Sequence, residues 1–259
     1  MNLKDKLVSS YLAFDDHLED DSPIHEIRKK AIHTFEEEGF PTKKEEDWKY
    51  TSLKSILNKD YSVFPKGNKD VKFKKVRNYF LYDIDSYKLV FIDGVFSTFL
   101  SETTHDGLDI CLLSAALSKS KYKAVIENYY NKAAAKNSIS SLNTAFAREG
   151  AYINIPKNKE VEKPIEIINF STGNESALMV QPRNLIVVGE NAHVQIIERH
   201  QSLTANPVFT NSVTEIFAEK RAYLDYYKIQ NDKENASLID NTSIHQEQNS
   251  NCKVHSFSL

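Results

Sequence analysis

Apolar residues recur every three or four positions through the first half of the chain and every second position through the rest, and the change falls near Gly150. Leu3, Leu7, Tyr11, Leu12 and Leu18 stand at helical spacing, and that pattern breaks in the acidic stretch at 19–21. A second helix is better marked. Ser22 can cap it, Pro23 suits its first turn, and Ile24, Ile27, Ala31 and Phe35 form an apolar stripe that stops before Gly39. Thr42-Lys43-Lys44-Glu45 has the form of a capping box, so a short helix is expected there, with Trp48 near its end beside Tyr50. Leu53, Ile56 and Leu57 predict one more turn or two. Around Asp93-Gly94, LVFI and VF read as the two arms of a tight hairpin. Val125, Tyr129 and Ala133 predict a helix over 122–136, and Leu142, Ala145 and Phe146 a weaker one ending near Gly150.

Beyond Gly150 seven short strands follow without a helix between them: AYINIP, PIEIINF, NLIVV, HVQIIE, SVTEIF, AYLDYY and CKVHSF. At an offset of 30 residues, Ala192, Val194 and Ile196 fall on Ala222, Leu224 and Tyr226, then on Cys252, Val254 and Ser256. Asn211 falls on Asn241, and one step earlier Pro164 and Ile167 fall on Val194 and Ile197. A fixed period of this size predicts a solenoid whose coils bury one another's apolar faces, and a parallel β-helix fits it best. The last coil is the weakest match, because Gln246 and Gln248 stand where Ile186, Val188, Ile216 and Ala218 stood. The expected class is therefore α+β, with a mainly helical region at 1–150 and a partial β-helix at 151–259. CKVHSFSL still alternates at Leu259, from which further coils are expected after it, along with self-association through the open edge.

Composition narrows the function by exclusion. Charge is nearly balanced, with a net of −3. The run Lys66, Lys69, Lys72, Lys74, Lys75 and Arg77 lacks aromatic interleaving, so it reads as a solvated segment and not as a nucleic-acid surface. No stretch approaches the roughly 18 consecutive apolar residues of a membrane span, and the N-terminus has no signal-peptide pattern; a cytosolic protein is expected. The 7 glycines are too widely spaced for a phosphate loop or a dinucleotide fingerprint. H-E-x-x-H, C-x-x-C and G-x-S-x-G are all missing.

The best cluster of chemistry-bearing residues is His245, Cys252 and His255, with Glu198, Arg199 and His200 two coils away. Cys252 and His255 are an odd number of positions apart, so on a regular strand they face opposite sides and cannot share one metal. Cys252 reads as a small buried residue. No catalytic, cofactor-binding or metal residue is assigned.

Three stretches resemble one family. GFPTKKEEDWKYTSLKSIL (39–57) is similar to the N-terminal signature of SufD within the SufB/SufD family of the SUF iron–sulfur cluster assembly machinery, and VFIDGVFSTFLSE (90–102) to another of its segments. LNTAFAREGAYINIPKNKEVEKPIEI (142–167) resembles the entry into the β-helix that SufB and SufD share. The resemblance implies a cytoplasmic, non-catalytic scaffold that pairs with SufB through its β-helix and with the ATPase SufC through a C-terminal helical region. An iron–sulfur cluster would be assembled transiently by the whole complex, and the family's junction histidine and SufC-docking region would lie beyond Leu259. Within the matched motif, Trp48, Lys49 and Tyr50 are expected to pack rather than to react. Two other readings remain open at this point: a β-helix enzyme acting on polysaccharide, which needs charged side chains of successive coils along one groove, and a purely structural solenoid.

Overall fold

The computed structural model describes residues 2–15, 23–64, 66, 71, 73–81, 83–102, 107–173 and 177–259. Helix α1 (Leu3–Asp15) buries Leu3, Leu7 and Tyr11, whereas Leu12 is exposed and Leu18 lies outside the described residues. Helix α2 (Pro23–Glu38) adds Ala31 and Phe35 to the same core and ends where Gly39 turns left-handed; its expected cap, Ser22, is outside the described residues. The 42–45 box makes only half of its bonds. The Thr42 amide donates to Glu45 Oε1 at 2.8 Å, but the threonine hydroxyl accepts from Lys44, and a single 3-10 turn, Glu46–Trp48, follows instead of a helix. Trp48 packs against the helical core, while Tyr50 is exposed with the Lys49 ammonium over its ring. Helices α3 (Lys54–Leu57) and α4 (Phe73–Val76) are single turns. Lys74, Lys75 and Arg77 are exposed, as a solvated run requires; Lys69 and Lys72 lie outside the described residues.

Strands β1 (Tyr87–Ile92) and β2 (Val95–Phe96) form the expected hairpin, with Asp93 at φ 51 and Gly94 at φ 76 supplying the two positive angles that a tight turn of this hand needs. Strand β3 (Asp109–Leu112) runs into α5 (Leu113–Ser118), and α6 (Lys123–Tyr129) follows. The helix expected over 122–136 therefore stops seven residues early, measured from Lys136 to Tyr129. The cause is a carboxylate. Glu215 accepts from the amides of Asn131, Ala133 and Ala134 at 3.0, 2.9 and 3.1 Å, with Asn131 at φ 59, and amides that turn toward that acceptor cannot also continue a helix. Helix α7 (Ser138–Phe146) starts afresh from Asn137, whose side chain accepts from the Ser140 amide.

The solenoid comprises β4 (Ala151–Ile155) and β5 (Ile165–Ser171); β6 (Leu178–Val180), β7 (Arg183–Val188) and β8 (His193–Ser202); β9 (Val208–Ala218) and β10 (Tyr223–Asn231); and β11 (Ala236–Gln246) and β12 (Asn251–Ser258). They stack parallel to one another into two sheets that β1, β2 and β3 extend, ordered β12-β10-β8-β5-β1-β2 and β11-β9-β7-β4-β3, with β6 also beside β9. About three turns of parallel β-helix result. Each coil turns its corner through one left-handed residue: Asn158, Asn191, Arg221 and Asn249.

Coil length is not constant, and this corrects the alignment made at a fixed offset. The step of 30 holds between the second and third coils, where His193 pairs with Tyr223 and Arg183 with Val213. The next step is 28: Cys252 lies beside Leu224 and not Ala222, Val254 beside Tyr226, and Asn241 beside Val213 and not Asn211. The preceding step is 31 in the first sheet, so Ile165 pairs with Ile196 and Ile167 with Glu198. With the shorter step, Ile244 stacks on Ile216 and the last coil keeps an apolar interior; Gln246, beside Ala218, is exposed at its end. Strand β11 escapes the sequence pattern because its inward positions include Asp240 and Thr242.

Hydrogen bonding runs across residue 150. Strand β1 extends the first sheet parallel to β5, and β3 extends the second antiparallel to β4. The outer face of the second sheet carries Arg183 and Glu215, both fully buried and 2.5 Å apart. The guanidinium also donates to Asn143 Oδ1, Thr144 Oγ1 and Asn131 Oδ1, and stands 5.1 Å over the Tyr130 ring. Gly150 passes close beneath: a Cβ there would lie 1.7 Å from the Arg183 carbonyl oxygen.

Removing one partner of a buried ion pair strands the other charge, so Arg183→Ala is expected to cost roughly 3–5 kcal/mol in urea denaturation. Arg183→Met paired with Glu215→Leu should cost more than Arg183→Ala, because the amides of Asn131, Ala133 and Ala134 then lose their acceptor as well. Gly150→Ala is expected to lower the melting temperature by displacing β7, measured by circular dichroism; an unchanged melt would contradict the close approach.

Candidate functional site

The interior of the β-helix is divided lengthwise. Toward the corners marked by Asn158, Asn191, Arg221 and Asn249 it is apolar, built from Ile186, Val188, Val194, Ile196, Ile216, Ala218, Leu224 and Tyr226. Further along the same strands the inward positions become polar. The column Ile196, Tyr226, Val254 gives way two residues later to Glu198, Lys228, Ser256. On the facing sheet Ser212 stacks on Asp240 and Thr214 on Thr242.

These side chains bond to one another. Glu198 Oε1 lies 3.1 Å from His200 Nε2 and accepts from Ser212 Oγ at 3.4 Å, while Oε2 accepts from Thr214 Oγ1 at 3.3 Å and from the Tyr226 hydroxyl. Asp240 forms an ion pair with Lys228, whose ammonium donates to Thr242 Oγ1 at 2.6 Å. One donor atom each from Glu198, His200 and Asp240 lies within 4.8 Å of the others. A cavity of about 370 Å³ adjoins them, lined in part by His200, Lys228, Asp240, Thr242 and Ser256. A fully buried carboxylate and imidazole with a partly buried carboxylate and ammonium thus form a charge-compensated group at the polar end of the tube, the condition under which buried charge is tolerated.

Burial by itself would raise the Glu198 carboxyl, but the His200 hydrogen bond and the Lys228 charge outweigh it and hold the group at about 2. For His200 burial acts downward, and the hydrogen bond and charge of Glu198 prevail to leave it raised. Tyr226 is pushed well above the usual phenol, first by burial and then by Glu198.

Of the residues singled out from sequence, only Glu198 and His200 enter this group. Arg199 points to the outer face, where its charge and that of Lys88 only partly offset the rise that burial imposes on Glu166. Cys252 joins the apolar interior cluster on Leu224, and burial raises its thiol. His255 faces outward, stacked on Tyr227 at 4.8 Å, so the two residues lie on opposite faces. His245 also faces out, 5.9 Å from Phe217 and 3.6 Å from Glu247. Tyr226, Lys228, Asp240 and Thr242 were not recognised from sequence. The offset of 30 already aligned Ile196 with Tyr226 and Glu198 with Lys228; Asp240 and Thr242 needed the shorter last step that the corner residues record, since Asn191, Arg221 and Asn249 are 30 and then 28 residues apart (221 − 191; 249 − 221), and the step of 28 aligns Ser212 with Asp240 and Thr214 with Thr242.

The two shifts set a pH window. Stability from Glu198 is fully present above the ordinary 4.5 and is lost as pH falls toward about 2. Stability from His200 is fully present below the ordinary 6.5 and is lost as pH rises through its raised value. Melting temperatures measured across pH with a chelator present are expected to peak between these limits, and His200→Gln should remove this contribution to the alkaline fall. An alkaline limb unchanged in that variant would refute the ion pair.

Comparison with known proteins places this architecture. A family model described as the SufBD protein N-terminal region matches residues 1–167, and one described as the SufBD core domain of SUF system FeS cluster assembly matches residues 170–259. An iron-sulfur cluster assembly SufBD family protein of Synechocystis is 28% identical over 249 residues, covering 93% of this chain and 54% of the relative. The iron-sulfur cluster assembly protein SufD of Escherichia coli is 24% identical over 198 residues, covering 74% and 42%, and that of Bacillus subtilis 29% identical over 117 residues, covering 43% and 26%. The chain thus spans about half the length of the first of these relatives, and less of the others. With both family models matched in order along nearly its whole length, the chain belongs to the SufBD family of the SUF iron–sulfur cluster assembly system.

Proposed function

We propose that this protein is a non-catalytic scaffold subunit of SUF cluster assembly in the cytoplasm, pairing with a SufB-type subunit and serving a complex whose ATPase is of the SufC type. The observation that carries the reading is the ordered match of both family models, which places the helical region and the β-helix in one family architecture. The iron–sulfur cluster is then the cargo of the assembled complex. A rigid solenoid suits such a role, because stacked coils hold side chains of successive strands at fixed separations without needing a moving part. No described helix is long and apolar enough to cross a membrane.

The polysaccharide-enzyme reading asks for free charged side chains of successive coils along one groove. Glu190, Glu219 and Glu247 do line one side of a cavity of about 440 Å³ at the coil corners. Their contacts, however, are with the corner itself: Glu190 pairs with Lys157 and Arg221, Glu219 accepts from Tyr129 and from the Glu190 amide, and Glu247 lies beside His245. Carboxylates engaged in this way fasten coils together, which favours the scaffold.

Co-expression with SufB- and SufC-type subunits from the same genome is expected to give a complex that elutes as one species from gel filtration. Separate elution of this chain from both partners would overturn the assignment.

A further inference from the structure

The group in the β-helix interior has a chemistry that neither its packing nor a scaffold role calls for. A solenoid interior is held together well by apolar side chains alone, as the other half of this tube demonstrates. Here Glu198, fully buried, is turned inward between Ile167 on one side and Lys228 on the other. Burying ionised groups is costly, and replacing a buried charged set by apolar residues is often neutral or stabilising. The group also already holds a cation, since Lys228 delivers its ammonium to Asp240 and Thr242 from one wall of the tube. His200 faces the same space and lines the adjoining cavity of about 370 Å³.

We propose that Glu198, His200 and Asp240 form a binding site for a first-row divalent metal ion, with the Lys228 ammonium standing in the cation position until the ion displaces it. The donor set is one imidazole and two carboxylates, a mixture suited to zinc, cobalt, manganese or ferrous ions. Bonds of about 2.0–2.2 Å to nitrogen and oxygen set neighbouring donors roughly 3–3.5 Å apart. Glu198 Oε1 and His200 Nε2 already stand 3.1 Å apart, and Asp240 completes the set from within 4.8 Å. A modest closure of Asp240 brings it in. That movement breaks its pair with Lys228, and the four-carbon stem of the lysine lets its ammonium swing into the cavity beside it. Tyr226, Ser212 and Thr214 keep Glu198 oriented from behind, the arrangement by which hydrogen-bonded neighbours fix a metal ligand. The site lies inside this chain and does not rest on the assembly role; a failure to bind SufB- or SufC-type partners would leave it untouched.

The test is titration of the purified chain with Zn²⁺ by calorimetry and with Co²⁺ by visible absorption, in wild type and in Lys228→Met, His200→Gln and Asp240→Asn. One equivalent of ion is expected to bind the wild type. Lys228→Met should bind at least about tenfold more tightly, because it removes the competing ammonium, while keeping the wild-type circular dichroism, which separates this gain from binding by unfolded histidines and cysteines. His200→Gln and Asp240→Asn should each weaken binding at least about tenfold and lose the cobalt band. Absence of saturable binding in both wild type and Lys228→Met would overturn the proposal, as would an affinity that neither His200→Gln nor Asp240→Asn changes, since the ion would then sit on surface histidines.

Discussion

The architecture depends on one buried carboxylate. Glu215 lies on the outer face of the second sheet, where an ordinary solenoid would show water an exposed polar side chain; here it faces the N-terminal region and accepts four hydrogen bonds, three from backbone amides at 131–134 and one from Arg183. Those amides are what remain unpaired when α6 stops, so the carboxylate ends one helix and receives its loose ends. Arg183, from the neighbouring strand, returns the charge balance and reaches into α7 through Asn143 and Thr144. The Asn143 side-chain amide then donates to the Asn211 carbonyl across the same seam, and that of Asn211 donates back to the Ile139 carbonyl of α7. Helices and solenoid are therefore joined by a polar, directional seam set in an apolar surround of Tyr152, Leu185 and Phe217. A greasy contact alone would let the two slide; this one fixes a single register.

Much of the fold was legible because its signals are local. Helical spacing at Leu3, Leu7 and Tyr11, the Asp93-Gly94 turn and the alternation in HVQIIE each depend on a few neighbouring residues, and each is realised. The failures share a physical cause, which is that the deciding partner is remote. Nothing within residues 122–136 announces that Glu215, more than 80 positions later, will take their amides. Strand β11 was overlooked because its interior positions answer Lys228 and Glu198 on other coils instead of following an apolar rule.

The interior site was half legible for a related reason. Glu198 and His200 drew notice from their identities, but Asp240 and Lys228 look like surface residues until the coil step is known. The assumed period of 30 already set Lys228 beside Glu198 but concealed Asp240, since a two-residue shortening in the last coil keeps the alternation intact while moving every partner along by one inward position. The corner residues record the true step, and they do so through backbone geometry: an asparagine or arginine held left-handed at each bend marks the place where the chain must change direction.

The bonds to Glu215 also impose an order on synthesis. The segment at 131–134 leaves the ribosome long before Glu215 exists, and β1 waits in the same way for β5, its parallel neighbour in the first sheet. Until the third coil has been made, the amides beyond α6 can only bond to water, and the apolar faces of Tyr122, Ile126 and Tyr130 have no sheet of full width to rest on. Contacts of such long sequence separation are slow to form and leave sticky surface exposed meanwhile. Translation of β9 is therefore the event that gives the 131–134 amides their acceptor.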